Sequence, residues 1–183
     1  MRNALRRIAI GAAGTGMAIT MVAAPALTAD AAVSAHSAAA PAKQPALIWP
    51  VVKFGDSGPR VETVQYLLDE HGHKLAVDGN FGVLTRFAAE LFQKSNGLSP
   101  SGKVGAKTWQ ALIIPVWRGS TGDAVAAVQA QLRYVYGLHF VAVDGVFGPL
   151  TELAVILFQK KHSLVADGIV GKNTWNALVV HDT

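Results

Sequence analysis

The chain has 183 residues, no cysteine, 51% hydrophobic side chains and a formal charge of +4 from 16 basic and 12 acidic residues. That length accommodates one domain of ordinary size or two small ones. Without cysteine there is no disulfide scaffold, no thiol nucleophile, no cysteine-held zinc and no iron–sulfur cluster.

The first residues carry Arg2, Arg6 and Arg7 with no acid, and an apolar run follows from Ile8 to about Leu27. A basic start, an apolar stretch and the small-residue site Ala29-Asp30-Ala31 predict a signal peptide over residues 1–31, exported by the general or the twin-arginine route. Gly11, Gly14, Gly16 and Pro25 inside the run argue against an uncleaved membrane anchor. Cleavage after Ala31 removes three arginines and Asp30, leaving a net charge of +2. No basic stripe then remains to neutralise phosphates, so nucleic acid is not expected as a partner, nor a membrane once the signal is gone. Residues 32–48, rich in Ala, Ser and Pro, predict a flexible linker.

Beyond the linker the chain is a duplication. The 36 residues from Val77 match those from Val143 at about 20 positions, at an offset of 66. Upstream, the run from Gly55 matches the run from Gly119 at an offset of 64. The second copy thus carries two extra residues between Arg133 and Ala142, which predicts a surface loop there. The repeats are placed at 49–113 and 114–181.

A shorter pattern recurs within each repeat: DGNFGVLT at Asp78, SGKVGAKT at Ser101, DGVFGPLT at Asp144 and DGIVGKNT at Asp167. In each, the Asp or Ser oxygen can bond the backbone two residues on, and the next glycine tolerates positive φ. The following apolar residue can plug inward, and the second glycine stands where a helix begins. Gly58-Pro59 and Gly122-Asp123 open earlier helices in the same way. Helical spacing follows every turn: Val61, Val64 and Leu68; Ala88, Leu91 and Phe92; Trp109 and Leu112; and in the second copy Val125, Val128 and Leu132; Ala154, Leu157 and Phe158; Trp175 and Leu178. The fold class is all-α, with three helices per repeat joined by glycine-containing turns.

These motifs, in this order and present twice, resemble the bacterial peptidoglycan-binding domain of the three-helix type. The resemblance runs from Gly55-Asp56-Ser57-Gly58 through Val64-Gln65, the Asp78 turn, Phe92-Gln93-Lys94 and Gly97-Leu98 to Val104-Gly105 and Thr108-Trp109. It covers about residues 50–179. Ser101 stands where the family pattern has Asp, and Ser163 where it has Gly. The resemblance implies two tandem three-helix orthogonal bundles, binding to cell-wall peptidoglycan, and the frequent company of a hydrolase or transpeptidase domain.

The residues themselves carry no constellation for catalysis. His71-Gly72-His73 lacks the further ligands a metal needs. Asp78, Asp144 and Asp167 are better explained as turn formers than as a glycosidase pair, and no nucleophile elbow is present. The reading is therefore a secreted or cell-wall-associated binding protein with no enzyme activity, cofactor or metal; the alternative is a protein-interaction module that docks or regulates a cell-wall hydrolase. For the glycan strand or stem peptide, the polar candidates near the first turns are Asp78, Asn80, Thr85 and Arg86, with Asp144 and Thr151 in the second copy. Gln93 and Gln159, like Gln65 and Gln129, can bond ligand hydroxyls or tie helices together. Trp109 and Trp175 offer aromatic faces or core packing. Trp49, Trp117, Tyr134 and Tyr136 lack helical partners in both copies and serve as stacking platforms or as packing between the repeats.

Overall fold

A computed structural model describes residues 46–180, and the predicted signal peptide, its cleavage site and most of the linker lie outside the described residues. The described residues belong to one compact unit. They contain six α-helices and no strand: α1 (Pro59–Glu70), α2 (Val83–Ser95), α3 (Ala106–Leu112), α4 (Asp123–Ala130), α5 (Pro149–Lys161) and α6 (Lys172–Val180). Each repeat thus contributes three, as the periodicity predicts.

The helices start as the turns dictate. Gly58, Gly82, Gly105, Gly122 and Gly148 are N-caps with no side-chain cap, and Pro59 and Pro149 occupy the first helical turn. Two turns meet closely at a glycine pair: Gly122 N donates to Gly145 O at 3.0 Å, and a Cβ on Gly145 would stand a tight 3.2 Å from Gly122 O. Gly145 also has φ +69°, a region that L side chains rarely adopt. Four isolated antiparallel bridges, Val52–Val104, Ser57–Asn80, Val116–Val170 and Thr121–Val146, fasten the connecting segments to one another.

The core sits around one tryptophan per repeat. Trp109 and Trp175 are fully buried, and their Nε1 atoms donate to Pro50 O (2.9 Å) and Ile114 O (2.8 Å), so each indole pins the segment that leads into its own repeat. Trp49 is buried too and stacks on Trp109 with centroids 5.9 Å apart. The inward faces hold Val61, Val64, Leu68, Ala88 and Phe92 and their counterparts, all buried. Leu91 and Leu157 depart from the periodic reading: each is 42% exposed. They sit on the edge of the apolar stripe, continuing an exposed row of Leu84 and Phe87 on α2 and of Leu150 and Leu153 on α5.

Helices α1 and α4 pack antiparallel and join the repeats. Near one end Glu70 Oε2 accepts from Ala124 N (2.9 Å), and near the other Gln131 Nε2 donates to Thr63 Oγ1 (2.9 Å). Arg60 Nε reaches Val179 O at 2.7 Å and Asn176 Nδ2 reaches Ile48 O at 2.8 Å, tying the end of the second repeat to the beginning of the first.

The two extra residues of the second copy are divided between a helix and a loop, where the sequence predicts a loop alone. His71 N bonds Leu67 O, four residues back, whereas Tyr136 N bonds Gln131 O, five back. Residues Gln131–Val135 form a π-helical turn, the ordinary way for a helix to absorb one added residue. Tyr136 then occupies the place of His71: their rings pack on Phe158 and Phe92 at 4.7 and 4.8 Å. The second extra residue falls between Leu138 and Val141.

Candidate functional site

Every turn of the recurring pattern is locked by one buried glutamine from the preceding helix. Gln65 Oε1 accepts from Asp78 N (3.1 Å) and Gly79 N (2.9 Å), while its Nε2 donates to Asp78 Oδ1 (2.8 Å), Asn80 O (3.1 Å) and Thr85 Oγ1 (3.2 Å). Gln129 repeats this with Asp144, Gly145, Val146 and Thr151. Gln159 binds Gly168 N, Asp167 Oδ1, Ile169 O and Thr174 Oγ1. Gln93 holds Gly102 N, Lys103 O and Thr108 Oγ1, with no carboxylate partner because Ser101 replaces Asp there. One amide thus satisfies donors and acceptors that the tight turn would leave orphaned.

The predicted side-chain to backbone bonds are present. Asp78, Asp144 and Asp167 each accept, through Oδ1, from the backbone N–H two residues on at 2.8–2.9 Å, and Ser101 Oγ does so at 3.3 Å. The Gln65 amide, ahead of the Asn80 N–H, holds the Asp78 carboxyl below the usual carboxylate range. For Asp144 the Val146 N–H leads and the Gln129 amide follows.

This geometry places the sequence candidates in two groups. Thr85, Gln93, Trp109, Thr151, Gln159 and Trp175 are buried, and their polar atoms bond within the protein. Asp78, Asn80, Arg86 and Asp144 are exposed. Asp78 and Asp144 face solvent while bonded to their own turns; Arg86 pairs with Glu90 at 3.4 Å and lies 5.8 Å from the centre of the Phe54 ring. Of the unpaired aromatics, Tyr136 is part-buried with its hydroxyl donating to Leu178 O (3.0 Å), whereas Tyr134 and Trp117 are exposed. His71 and His73 pack against Phe92. No group of three potential metal ligands occurs among the described residues, and no helix there is long and apolar enough to cross a membrane.

Concave surface lies elsewhere, at the same place in both repeats. A groove of about 480 Å³ runs between the α2–α3 connection and α3, lined by Leu98, Ser99, Ser101, Lys103, Lys107 and Thr108 among others. A groove of about 270 Å³ lies between the α5–α6 connection and α6, lined by Leu164, Val165, Asp167, Ile169, Asn173 and Thr174 among others. Shifting the first set by 66 residues gives the second, so duplication built two copies of one cleft. Buried Thr108 and Thr174, each bonded by the glutamine of its turn, lie in the floors of the two grooves, and the exposed residues form the rims. Sequence reasoning named Gln93, which lines the first groove, and Gln159, which bonds Thr174 of the second, and did not name the rim, because the rim side chains differ between copies and so leave no repeated motif.

Comparison with known proteins places both repeats in one family. The family model described as "Putative peptidoglycan binding domain" matches residues 57–112 and 121–178. The N-acetylmuramoyl-L-alanine amidase CwlM of Mycobacterium tuberculosis is 35% identical over 103 residues, covering 50% of this chain and 25% of that protein. The zinc D-Ala-D-Ala carboxypeptidase of Streptomyces albus G is 39% identical over 75 residues, covering 40% of this chain and 28% of the enzyme. A solved structure of the SleB N-terminal domain is 37% identical, with 38% of this chain and 94% of that one covered and a TM-score of 0.37. The chain thus spans about a quarter of the length of these two enzymes.

Proposed function

The chain belongs to the family of peptidoglycan binding domains, and on that premise we propose that it is a secreted, non-catalytic protein whose two repeats hold cell-wall peptidoglycan together. The observation that carries this reading is the duplicated groove, a concave site repeated on one compact unit. A polymer that repeats its epitope rewards such a pair, because the second contact forms at high effective concentration once the first has formed. The signal peptide at 1–31 and the linker at 32–48 deliver the pair, repeats 49–113 and 114–181, to the cell exterior or wall. Glycan strand or stem peptide is the ligand; nucleic acid, membrane, metal and cofactor have no part in the reading. Asp78, Asn80, Arg86 and Asp144 are exposed polar groups available to it, and Thr85, Gln93, Trp109, Thr151, Gln159 and Trp175 support the surface from beneath.

Incubation of the mature chain with protein-free bacterial sacculi tests both halves of this proposal. The protein is expected in the pellet, with the turbidity of the suspension unchanged. Protein left wholly in the supernatant refutes binding, and a fall in turbidity refutes the non-catalytic assignment.

A second reading is favoured by the exposed apolar rows, Leu84, Phe87 and Leu91 on α2 and Leu150, Leu153 and Leu157 on α5. Such rows suit a protein partner, and a cell-wall hydrolase docked there would make the chain its targeting or regulatory subunit. Under this reading a hydrolase co-purifies with the chain, and Leu84→Ser/Leu150→Ser abolish that co-purification while leaving sacculus binding unchanged; co-purification unaffected by the substitutions refutes docking on the rows.

A further inference from the structure

The two grooves share a floor but not a rim, and the differences fall into a chemical pattern. Val52 pairs with Val104 beside the first groove and Val116 with Val170 beside the second, each through reciprocal backbone bonds and with both valines buried. One residue out from each bridge the extended backbone turns its side chains to the surface. In the first repeat those residues are Lys53 and Lys103, both exposed. In the second they are Trp117, 54% exposed, and Ile169, 44% exposed.

The rest of each rim follows suit. Exposed Lys107 and Ser99 line the first groove, which has no carboxylate in its lining. None of Lys53, Lys103 and Lys107 forms an ion pair among the described residues. The corresponding positions of the second groove hold Asn173 and exposed Val165. Its one lining acid, Asp167, has Oδ1 engaged by Gln159 Nε2 and Ile169 N at 2.8 and 2.9 Å. Of the four tryptophans, Trp49, Trp109 and Trp175 are buried and Trp117 alone is exposed.

We propose that the repeats have divided the recognition of the polymer: the first groove binds a carboxylate through Lys53, Lys103 and Lys107, and the second stacks a sugar ring on Trp117. Lys103 and Lys107 in the lining, with Lys53 across the Val52–Val104 bridge from Lys103, attract an anion and supply charge-assisted donors to it. An indole face beside an apolar rim suits the C–H face of a pyranose, which is apolar in the middle and polar at its edge; the Asn173 amide and Lys172 ammonium stand at the rim for the hydroxyls and acetamido groups. Peptidoglycan offers both chemistries on one strand, since its stem peptides end in carboxylates and its backbone is made of amino sugars. The division rests on the reading that the chain holds peptidoglycan, and gives each groove a separate share of that binding.

The test uses the mature chain, three exposed-site variants and two soluble probes. The probes are a peptide-free N-acetylglucosamine trimer and a sugar-free stem pentapeptide with a free terminal carboxylate. The trimer is expected to shield the exposed tryptophan of the wild type from acrylamide quenching and, in calorimetric titration, to lose affinity at least about tenfold in Trp117→Ala, recovering it in Trp117→Tyr and keeping it in Lys53→Gln/Lys103→Gln/Lys107→Gln. The pentapeptide is expected to lose at least about tenfold in the triple glutamine variant and on amidation of its terminus, and nothing in Trp117→Ala. Retention of all variants on sacculi with wild-type affinity overturns the division while leaving wall binding intact, as do equal losses for both probes in both variants. Failure of the wild-type chain to sediment with sacculi overturns wall binding itself, and failure to bind either probe then removes the division with it.

Discussion

Gln65 and Asp78 grip each other through both ends of the glutamine amide: Nε2 donates to the Asp78 carboxylate at 2.8 Å while Oε1 accepts from the Asp78 backbone N–H at 3.1 Å. Because Gly79 N, Asn80 O and Thr85 Oγ1 share the same amide, its loss leaves several polar atoms of the turn without partners. An orphaned buried donor or acceptor costs about 1–3 kcal/mol. Gln65→Leu is therefore expected to destabilise the protein by about 2–4 kcal/mol in urea unfolding. Gln93→Leu should cost less, since Gln93 accepts one backbone N–H and has no carboxylate partner. Equal losses at the two positions would contradict the account of the turn lock.

The same bonds set an acid limit. The carboxyls of Asp78 and Asp144 lie below their usual value of 3.8, held down chiefly by the Gln65 amide and by the Val146 N–H respectively. A depressed folded pKa adds stability that is complete above the unfolded value and disappears as pH falls through the folded one. Stability is therefore expected to be level above about pH 5 and to decline from about pH 4 downward. Asp69, raised chiefly by burial, acts in the opposite sense and offsets part of this decline, because protonation favours its folded form. The double variant Asp78→Asn/Asp144→Asn should show a shallower acid decline than the wild type; an unchanged slope would disconnect these carboxylates from stability.

Ser163 is the one non-glycine among the described residues at positive φ, 54°, and it corresponds to Gly97 with φ +67°. A side chain in the left-handed region costs about 1 kcal/mol, part of which glycine returns through its freer unfolded state. Ser163→Gly is expected to raise stability by about 0.5–1 kcal/mol, and Gly97→Ser to lower it by more than that gain. Thermal melts of the two variants check both signs.

The molecule's organisation was legible to different depths at different residues. Glycine turns and helix starts could be read because their chemistry is local: Asp78 bonds Asn80 N and Gly82 begins α2 whatever surrounds them. Leu91 and Leu157 could not be placed, because helical spacing identifies an apolar stripe without its edges, and both lie on the exposed edge. The extra residue in the π-helical turn after α4 reads as a loop in sequence, since a π turn has no composition of its own. Gln65 and Trp109 were visible as repeated residues, but repetition marks the shared scaffold. Lys53 and Trp117 occupy corresponding places with unlike chemistry, and the Val52–Val104 and Val116–Val170 pairings reveal that they stand opposite Lys103 and Ile169.

The repeats should also unfold together. A module of about 65 residues buries only about 60% of its unfolded surface and is marginal alone. Here Glu70 with Ala124, Thr63 with Gln131, Arg60 with Val179 and Ile48 with Asn176 are bonded across the seam. Calorimetry is expected to give one transition with equal calorimetric and van't Hoff enthalpies. Two resolved transitions would show that the seam does not couple the repeats.

The most direct measure of the central claim is a binding isotherm of the mature chain on protein-free sacculi, set beside one for soluble monomeric muropeptides. Two grooves on one compact unit predict saturable retention on the intact polymer, with affinity at least about 100-fold above that for the monomers. Absence of saturable retention on sacculi at concentrations well above the monomer affinity would contradict it.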